Sequence, residues 1–214
     1  YTYFPGQVII ALTSLFLLIS DWRYHWQNRK IFLFSLGLQL LCAVPLIRFF
    51  ITHPDYYQTQ MLQYGILGNT EATLLTNLAN YLSRYIYGLS PIYWLNPVIH
   101  DPIWWVMKGY SHISWLLLPF FIWGLVVAIK GWRRPEMRVI LAAFLAGPSG
   151  SALISIEITR VLVMIVPSLI FITLGISSAF TWLERRKWFH PSVLVISGLI
   201  LSIVPCAMLY DVLI

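Results

Sequence analysis

The sequence predicts an all-α polytopic membrane protein with about six transmembrane helices and a partly helical outer loop. Hydrophobic residues make up 59% of the 214 residues, and only 10% are charged. An average soluble domain carries about 25% charged residues. The basic residues also lie in short clusters between long apolar runs. A soluble fold of this size could not bury so much apolar surface, whereas a bilayer acts as its solvent.

The predicted spans are apolar segments close to the length of about 20 residues that crosses a bilayer. The fourth is interrupted by Gly147, Pro148 and Gly150, which indicates either an unwound helix or a helix end followed by a turn. The chain begins at Tyr1 without a charged leader, so we expect a fragment whose N-terminal part is missing. A single transmembrane domain, 1–214, would then contain spans at residues 4–20, 31–50, 113–129, 139–155, 159–183 and 191–213.

Three short connectors predict the orientation. Residues 21–30, 130–138 and 184–190 carry ten of the 14 Lys and Arg residues. They alternate along the chain, so all three are expected on one side, and the positive-inside rule makes that side cytoplasmic. The long loop 51–112 would face outward from a prokaryotic cytoplasmic (inner) membrane.

The outer loop contains one predicted amphipathic helix, from Glu71 to Gly88. An apolar and aromatic stripe lies opposite a polar one, which favours a helix on the membrane surface. The stripes consist of Leu74, Leu78, Tyr81, Leu82 and Tyr85, and of Thr73, Asn77, Asn80 and Arg84.

A proline-rich and aromatic segment follows this helix, at residues 90–97 and around Trp104 and Trp105. Its composition fits an aromatic belt at the membrane interface or a surface that stacks on carbohydrate. The sequence leaves both readings open.

Four basic residues fall on the outer side, and Arg160 is the strongest candidate among them for binding an anion. It follows the interrupted fourth span, and Glu157 three residues earlier could form an ion pair with it. Arg160 would then lie at the rim of an outward cavity, where it could meet a lipid phosphate. Arg48 and Lys108 could instead reach the interface as isolated cations. The possible substrate or loop contacts are Arg48, His53, His100, Asp101, His112 and Glu157.

Metal and nucleic-acid chemistry have little support. Cys42 and Cys206 lie in apolar runs without the spacing of metal ligands or of a disulfide framework. No cofactor is predicted, and a divalent metal has no motif behind it. Nucleic acid is not an expected partner because the basic residues form no single patch.

Several weak motifs, taken in order, resemble the GT-C superfamily of integral-membrane glycosyltransferases. The nearest group is the bacterial protein-mannosyltransferase and aminoarabinose-transferase-like enzymes. The motifs are Tyr1-Thr2-Tyr3-Phe4-Pro5, the Pro45 to His53-Pro54 segment, Lys108-Gly109-Tyr110-Ser111-His112, and Gly147-Pro148 through Arg160 to Pro167 and Gly175.

The resemblance implies a hexosyl- or pentosyltransferase that takes its sugar from a polyprenyl-phosphate-type lipid on the outer face. The acceptor would be a lipid, a glycan or a protein. Arg160, and more weakly Lys108, would bind the donor phosphate. The family's catalytic carboxylate lies in a first outer loop, so the fragment is expected to lack it. Gln58, Thr59 and Gln60 stand where the family often has an Arg, which weakens a phosphate contact there.

Two other functions remain open from the sequence. A transporter or flippase also uses broken helices, although no internal repeat is visible. A non-catalytic membrane scaffold would tolerate changes throughout the outer loop.

Overall fold

The structure is a computed structural model that describes residues 4–56, 59, 73–95, 111–185 and 198. Of these described residues 87% are helical and none is in a strand, which confirms the all-α class. The helices are α1 (Phe4–Ser20), α2 (Trp22–Gln27), α3 (Arg29–Thr52), α4 (Leu74–Leu89), α5 (Pro91–Leu95), α6 (Leu118–Lys130), α7 (Pro135–Ala146), α8 (Ser149–Ala152), α9 (Ile158–Val161) and α10 (Ile165–Arg185).

Four of these helices, α1, α6, α7 and α10, form a bundle. The tight turn after Lys130 reverses the chain between α6 and α7, and the residues between Ala152 and Ile158 reverse it again before α10. Helices α6 and α10 therefore run in the same direction, and they form the most extensive helix pair. Helix α1 packs against α7 and α8.

Three phenylalanines from different helices meet in the bundle core. The ring centroids of Phe121 and Phe144 are 5.9 Å apart, those of Phe121 and Phe171 5.8 Å, and those of Phe144 and Phe171 5.3 Å. All three rings are tilted or edge-on to one another, which is the favourable arrangement for aromatic pairs. The core therefore joins α6, α7 and α10.

Two glycines allow α6 and α10 to touch at backbone distance. A Cβ atom on Gly124 would lie 1.7 Å from the carbonyl oxygen of Phe171, and one on Gly175 would lie 1.9 Å from that of Phe120. Small residues at such crossings let helices approach closely, which strengthens van der Waals contact.

Replacing Gly124 or Gly175 with Ala should force α6 and α10 apart. We expect each variant to lose about 3 kcal/mol of stability, as overpacked cores do, measured as a lower thermal unfolding midpoint of the purified chain in detergent. Gly37 in α3 is the control, since a Cβ there meets nothing within 4 Å. Gly37→Ala should be neutral or stabilising. Equal effects at Gly37 and Gly124 would contradict the close crossing.

The end of the bundle that holds the basic connectors is tied together by Asp21 and Arg138. Arg138 Nε donates to Asp21 Oδ2 at 2.9 Å, and its Nη2 donates to Oδ1. Arg138 Nη1 also donates to the carbonyl of Arg133 at 2.9 Å, which closes the turn before α7. This contact confirms the prediction that connectors 21–30 and 130–138 lie at the same end. We call it the basic end.

The pKa of Asp21 is lowered, chiefly because Arg138 hydrogen-bonds to the ionised carboxylate. Ser20 adds a hydrogen bond to Oδ2 at 3.0 Å, while partial burial opposes the shift. A lowered folded-state pKa means that the pair stabilises the protein above the unfolded pKa, which is about 3.9. That contribution disappears as the pH falls through the lower folded-state pKa.

Asp21→Asn should therefore cost about 1 kcal/mol at pH 7, and the difference from the parent chain should shrink below about pH 4. Unfolding midpoints at pH 7, 5 and 3 would measure this. Arg133→Gln is a matched control because Arg133 is exposed. A pH-independent loss in Asp21→Asn would argue against the pair.

The structure supports membrane association but not all six predicted spans. Two helical runs among the described residues are long and apolar enough to cross a bilayer, Arg29–Thr52 and Ile158–Arg185. The apolar helices Pro5–Ser20 and Trp115–Lys130 are shorter than a full span. The predicted sixth span, 191–213, lies outside the described residues.

In the region of the predicted fourth span, 139–155, the structure has α7 and then, after the interruption at Gly147 and Pro148, the short helix α8. Helix α7 begins four residues earlier, at Pro135, because proline suits the first turn of a helix. It ends at Ala146 because Pro148 has no N–H to continue the hydrogen-bond ladder. The adjoining fifth span is helical from Ile158, but it passes through a 3₁₀ turn, Leu162–Met164, shortly before Pro167.

The predicted helix is confirmed as α4, Leu74–Leu89, but the face that packs inward combines residues of both predicted stripes. Thr73 caps it by accepting a hydrogen bond from the Thr76 amide at 3.3 Å. Leu74 is 85% exposed and Leu78 50% exposed. The face toward the bundle instead carries Asn77, Tyr81, Arg84, Tyr85 and Gly88, all buried or half-buried.

Candidate functional site

The candidate site is built on the chain break between α7 and α9, at the end of the bundle opposite the basic end. Every residue from Ala146 to Ala152 is buried. A Cβ on Gly147 would lie 2.2 Å from Met164 Cγ, and one on Gly150 would lie 2.3 Å from the Pro5 carbonyl oxygen. The start of α1 and the start of α10 therefore enclose the break.

Serine hydroxyls satisfy carbonyls that the break leaves outside the helix ladder. Ser149 Oγ donates to the carbonyl of Ala146 at 2.5 Å, and Ser151 Oγ donates to that of Arg160 at 2.8 Å. Both serines are at most 1% exposed. Unpaired carbonyls at this depth would cost several kcal/mol in an apolar surrounding, so these bonds hold the broken segment in place.

Arg160 forms the ion pair that the sequence predicts. Its Nη1 lies 3.0 Å from Glu157 Oε1 and also donates to Ser155 Oγ. Ser155 Oγ in turn donates to the same Glu157 oxygen at 2.8 Å. The side chains of Arg160 and Glu157 are 24% and 27% exposed. Neither Nε nor Nη2 of Arg160 donates to any described residue.

Arg84 is the functional candidate that the sequence-based site lacked. Its Nη1 donates to the carbonyl of Ile154, which is 70 positions away in the chain. The neighbouring Tyr85 hydroxyl donates to the carbonyl of Leu145 at 2.6 Å. These bonds dock α4 on the break, and a Cβ on Gly88 would lie 2.9 Å from Pro148 Cβ. The sequence signal that could have identified Arg84 was its position on the polar stripe of the predicted helix.

Arg84 and Arg160 thus contact consecutive residues of one segment, Ile154 and Ser155. In each arginine only Nη1 donates a hydrogen bond to a described residue. The edge formed by Nε and Nη2 therefore remains for another partner. That edge is a planar pair of donors that matches two oxygens of a phosphate. Glu157 offsets one of the two positive charges, so one net positive charge remains.

Two further groups on the inward face of α4 keep hydrogen-bonding capacity. Asn77 Oδ1 is buried and has no hydrogen-bond partner among the described residues. Tyr81 stacks on Tyr85 with ring centroids 6.2 Å apart. Burial raises the pKa of both phenols, so they remain neutral donors at physiological pH. Asn77, Tyr81 and Arg84 follow one another at helical spacing on one face.

The aromatic segment after α4 is part of the core where the structure describes it. Tyr93 is 2% and Trp94 4% exposed, and Trp94 Nε1 donates to the carbonyl of Gly88 at 2.8 Å. His112 lies 5.4 Å from the Tyr93 ring and 6.0 Å from the Trp94 ring. An aromatic belt and a carbohydrate-stacking surface are therefore both wrong for these two residues, because both rings are inside the protein.

Arg48 and His53 are not brought to the arginine cluster by any described contact. Both are exposed at the end of α3. His53 Nδ1 lies 2.8 Å from Thr52 Oγ1, and its ring stacks on Phe49 at 4.9 Å. The predicted candidates Lys108, His100 and Asp101 lie outside the described residues.

No group of three His, Cys, Asp or Glu side chains that could hold a metal ion occurs in the described part of the chain. Comparison with known proteins adds no family: no family model matches the chain, and no curated protein or solved structure is significantly similar to it. The chemistry of the site therefore depends on the residues themselves, which are two guanidinium groups and one carboxylate around the segment from Ile154 to Glu157.

Proposed function

We propose that this chain is the membrane-embedded part of a glycosyltransferase that takes a sugar from a polyprenyl-phosphate-type lipid. Its phosphate would be held by Arg84 and Arg160. The observation that carries the proposal is that Arg84 and Arg160, from two different helices, contact the consecutive residues Ile154 and Ser155, while Nε and Nη2 of each donate to no described residue. The resemblance to membrane glycosyltransferases supplies the reaction.

A multi-pass arrangement in a prokaryotic cytoplasmic membrane, with six spans, belongs to the same proposal. Helix α3 has no buried residue although it is strongly apolar, and four leucines of α4, at positions 74, 75, 78 and 82, are exposed. Lipid is the solvent that suits such surfaces. The basic end would face the cytoplasm, which leaves the arginine pair on the outer side.

The arginines would act on the leaving group. The acceptor hydroxyl oxygen would attack the anomeric carbon of the sugar and lose its proton to a carboxylate base. The bond from that carbon to the phosphate oxygen would break, and the phosphate would keep the electron pair. Fixed cations stabilise this developing charge strongly where water is excluded. Glu157 is bound to Arg160 and Ser155, so we assign it to positioning Arg160 rather than to proton transfer.

Single cysteines can test which side of the membrane each end occupies. With Cys42 and Cys206 replaced by Ser, cysteine at exposed Thr159 should react with an impermeant maleimide on intact spheroplasts. Cysteine at exposed Arg133 should react only after permeabilisation. Labelling of both positions from the same side would remove the basis for an outward-facing site.

Binding of polyprenyl phosphate to the purified chain tests the arginines without requiring the whole reaction. Arg84→Gln and Arg160→Gln should each weaken binding about tenfold or more, since a charge-assisted contact contributes about 1.5–3 kcal/mol. Arg160→Lys should also bind more weakly because lysine lacks the planar fork. Titration in detergent, followed by native mass spectrometry, would measure the affinities.

Arg133→Gln is the matched control because it removes one exposed charge at the opposite end. It should leave binding unchanged. Arg84→Gln also removes the hydrogen bond to the carbonyl of Ile154, so each variant is titrated below its own unfolding midpoint. Unchanged affinity in both arginine variants would overturn the phosphate site. Normal binding combined with counterflow of a labelled solute in proteoliposomes would favour a transporter.

A further inference from the structure

A groove between α1 and α3 lies at the basic end, away from the arginine pair. It has a volume of about 490 Å³, and its walls come from residues 14–18 of α1 and residues 31–39 of α3. Leu15, Leu18, Ile31 and Leu36 make these walls largely apolar. Helix α3 has no buried residue, and its only extensive contacts with another described helix are with α2.

One end of the groove is polar, and basic residues adjoin it in the chain. Tyr24, His25 and Asn28 line it there, at the bend formed by α2. Arg23, Arg29 and Lys30 stand next to these residues in the sequence, and all three are exposed without lining the groove themselves. None of these three cations forms a hydrogen bond or an ion pair with a described residue. Asp21, the acidic residue of this connector, is already paired with Arg138.

The length of the groove matches one leaflet of a bilayer. Along α3 it extends from Asn28 to Gln39, a rise of about 16 Å. Half of the hydrocarbon core is about 15 Å thick. An acyl chain lying along the groove would therefore end near the middle of the bilayer, while its headgroup stayed beside the basic connector.

We infer that this groove binds one anionic glycerophospholipid of the cytoplasmic leaflet. One acyl chain occupies the apolar channel between α1 and α3, and the phosphate lies against Arg23, Arg29 and Lys30. Basic sites between membrane helices on the cytoplasmic side attract anionic headgroups in this way. A bound lipid fills the space that separates α3 from the bundle and so fixes the angle between α1 and α3. The inference uses the membrane placement proposed above but not the transferase reaction.

The test uses the full chain reconstituted in phosphatidylcholine bilayers that contain spin-labelled lipid probes. The motionally restricted fraction is measured for a phosphatidylglycerol probe and for a phosphatidylcholine probe. The parent chain should restrict phosphatidylglycerol preferentially, and salt should weaken this preference because it screens exposed charges. Arg29→Gln combined with Lys30→Gln should abolish it.

Two matched controls separate a built site from general surface charge. Arg133→Gln combined with Arg134→Gln removes the same charge from the other connector at the basic end, and it should keep the preference. Ser35→Phe fills the groove without a change of charge and should lower the restricted fraction of both probes. Leu38→Phe, on α3 but outside the groove lining, should not.

Each remaining outcome overturns the inference. The two double variants could lose the preference equally, in which case the effect is one of net charge and not of this groove. The parent chain could show no preference for phosphatidylglycerol at all. Cysteine cross-linking between copies through position 35 would show that a second copy of the chain occupies the groove.

Discussion

The structure at the candidate site depends on the carbonyl groups that a broken helix leaves without ladder partners. Pro148 cannot donate to the carbonyl of Phe144, and the Gly147 amide covers that oxygen only at 3.3 Å. In an apolar surrounding these groups need other donors. Tyr85 donates to the carbonyl of Leu145, Ser149 to that of Ala146, and Arg84 to that of Ile154. Helix α4 is thus held on the bundle by its hydrogen bonds to backbone carbonyls at the break.

The same constraint explains why the arginines remain available to a ligand. Each guanidinium has five N–H donors, and the break occupies only the Nη1 group of Arg84 and of Arg160. A structural role and a binding role are therefore compatible within one side chain. The first role fixes the orientation that the second requires, because a guanidinium held through one nitrogen presents its other edge in a defined direction.

The two ends of the bundle differ in how their charges are paired. At the basic end one bidentate pair, Asp21 with Arg138, joins α1 to α7, while several exposed cations remain free for a headgroup. At the candidate site the charges are fewer and half-buried, and they are held by a backbone carbonyl, a serine hydroxyl and each other. The first end is suited to a lipid surface and the second to a single anion in a restricted space.

Local spacing accounts for what the sequence could predict. Glu157 and Arg160 are close enough along the chain to meet whatever the rest of the fold does, and the structure pairs them at 3.0 Å. The stripes of α4 follow from helical periodicity alone. Helical periodicity does not determine which residues of α4 face the protein. Arg84 was therefore left outside the sequence-based site. Tyr93 and Trp94 were misjudged for the same reason, since composition cannot distinguish a ring buried in a core from one at an interface.

The sequence by itself determined the helical class, the apolar runs, the clustering of the basic connectors and the Glu157–Arg160 pair, because each depends on residues that are near neighbours in the chain. Only the tertiary structure decided that Arg84 reaches Ile154, that Gly124 and Gly175 cross at backbone distance, and that α1 and α3 leave a groove between them. These features join positions far apart in sequence, and no local pattern encodes the distance between two helices.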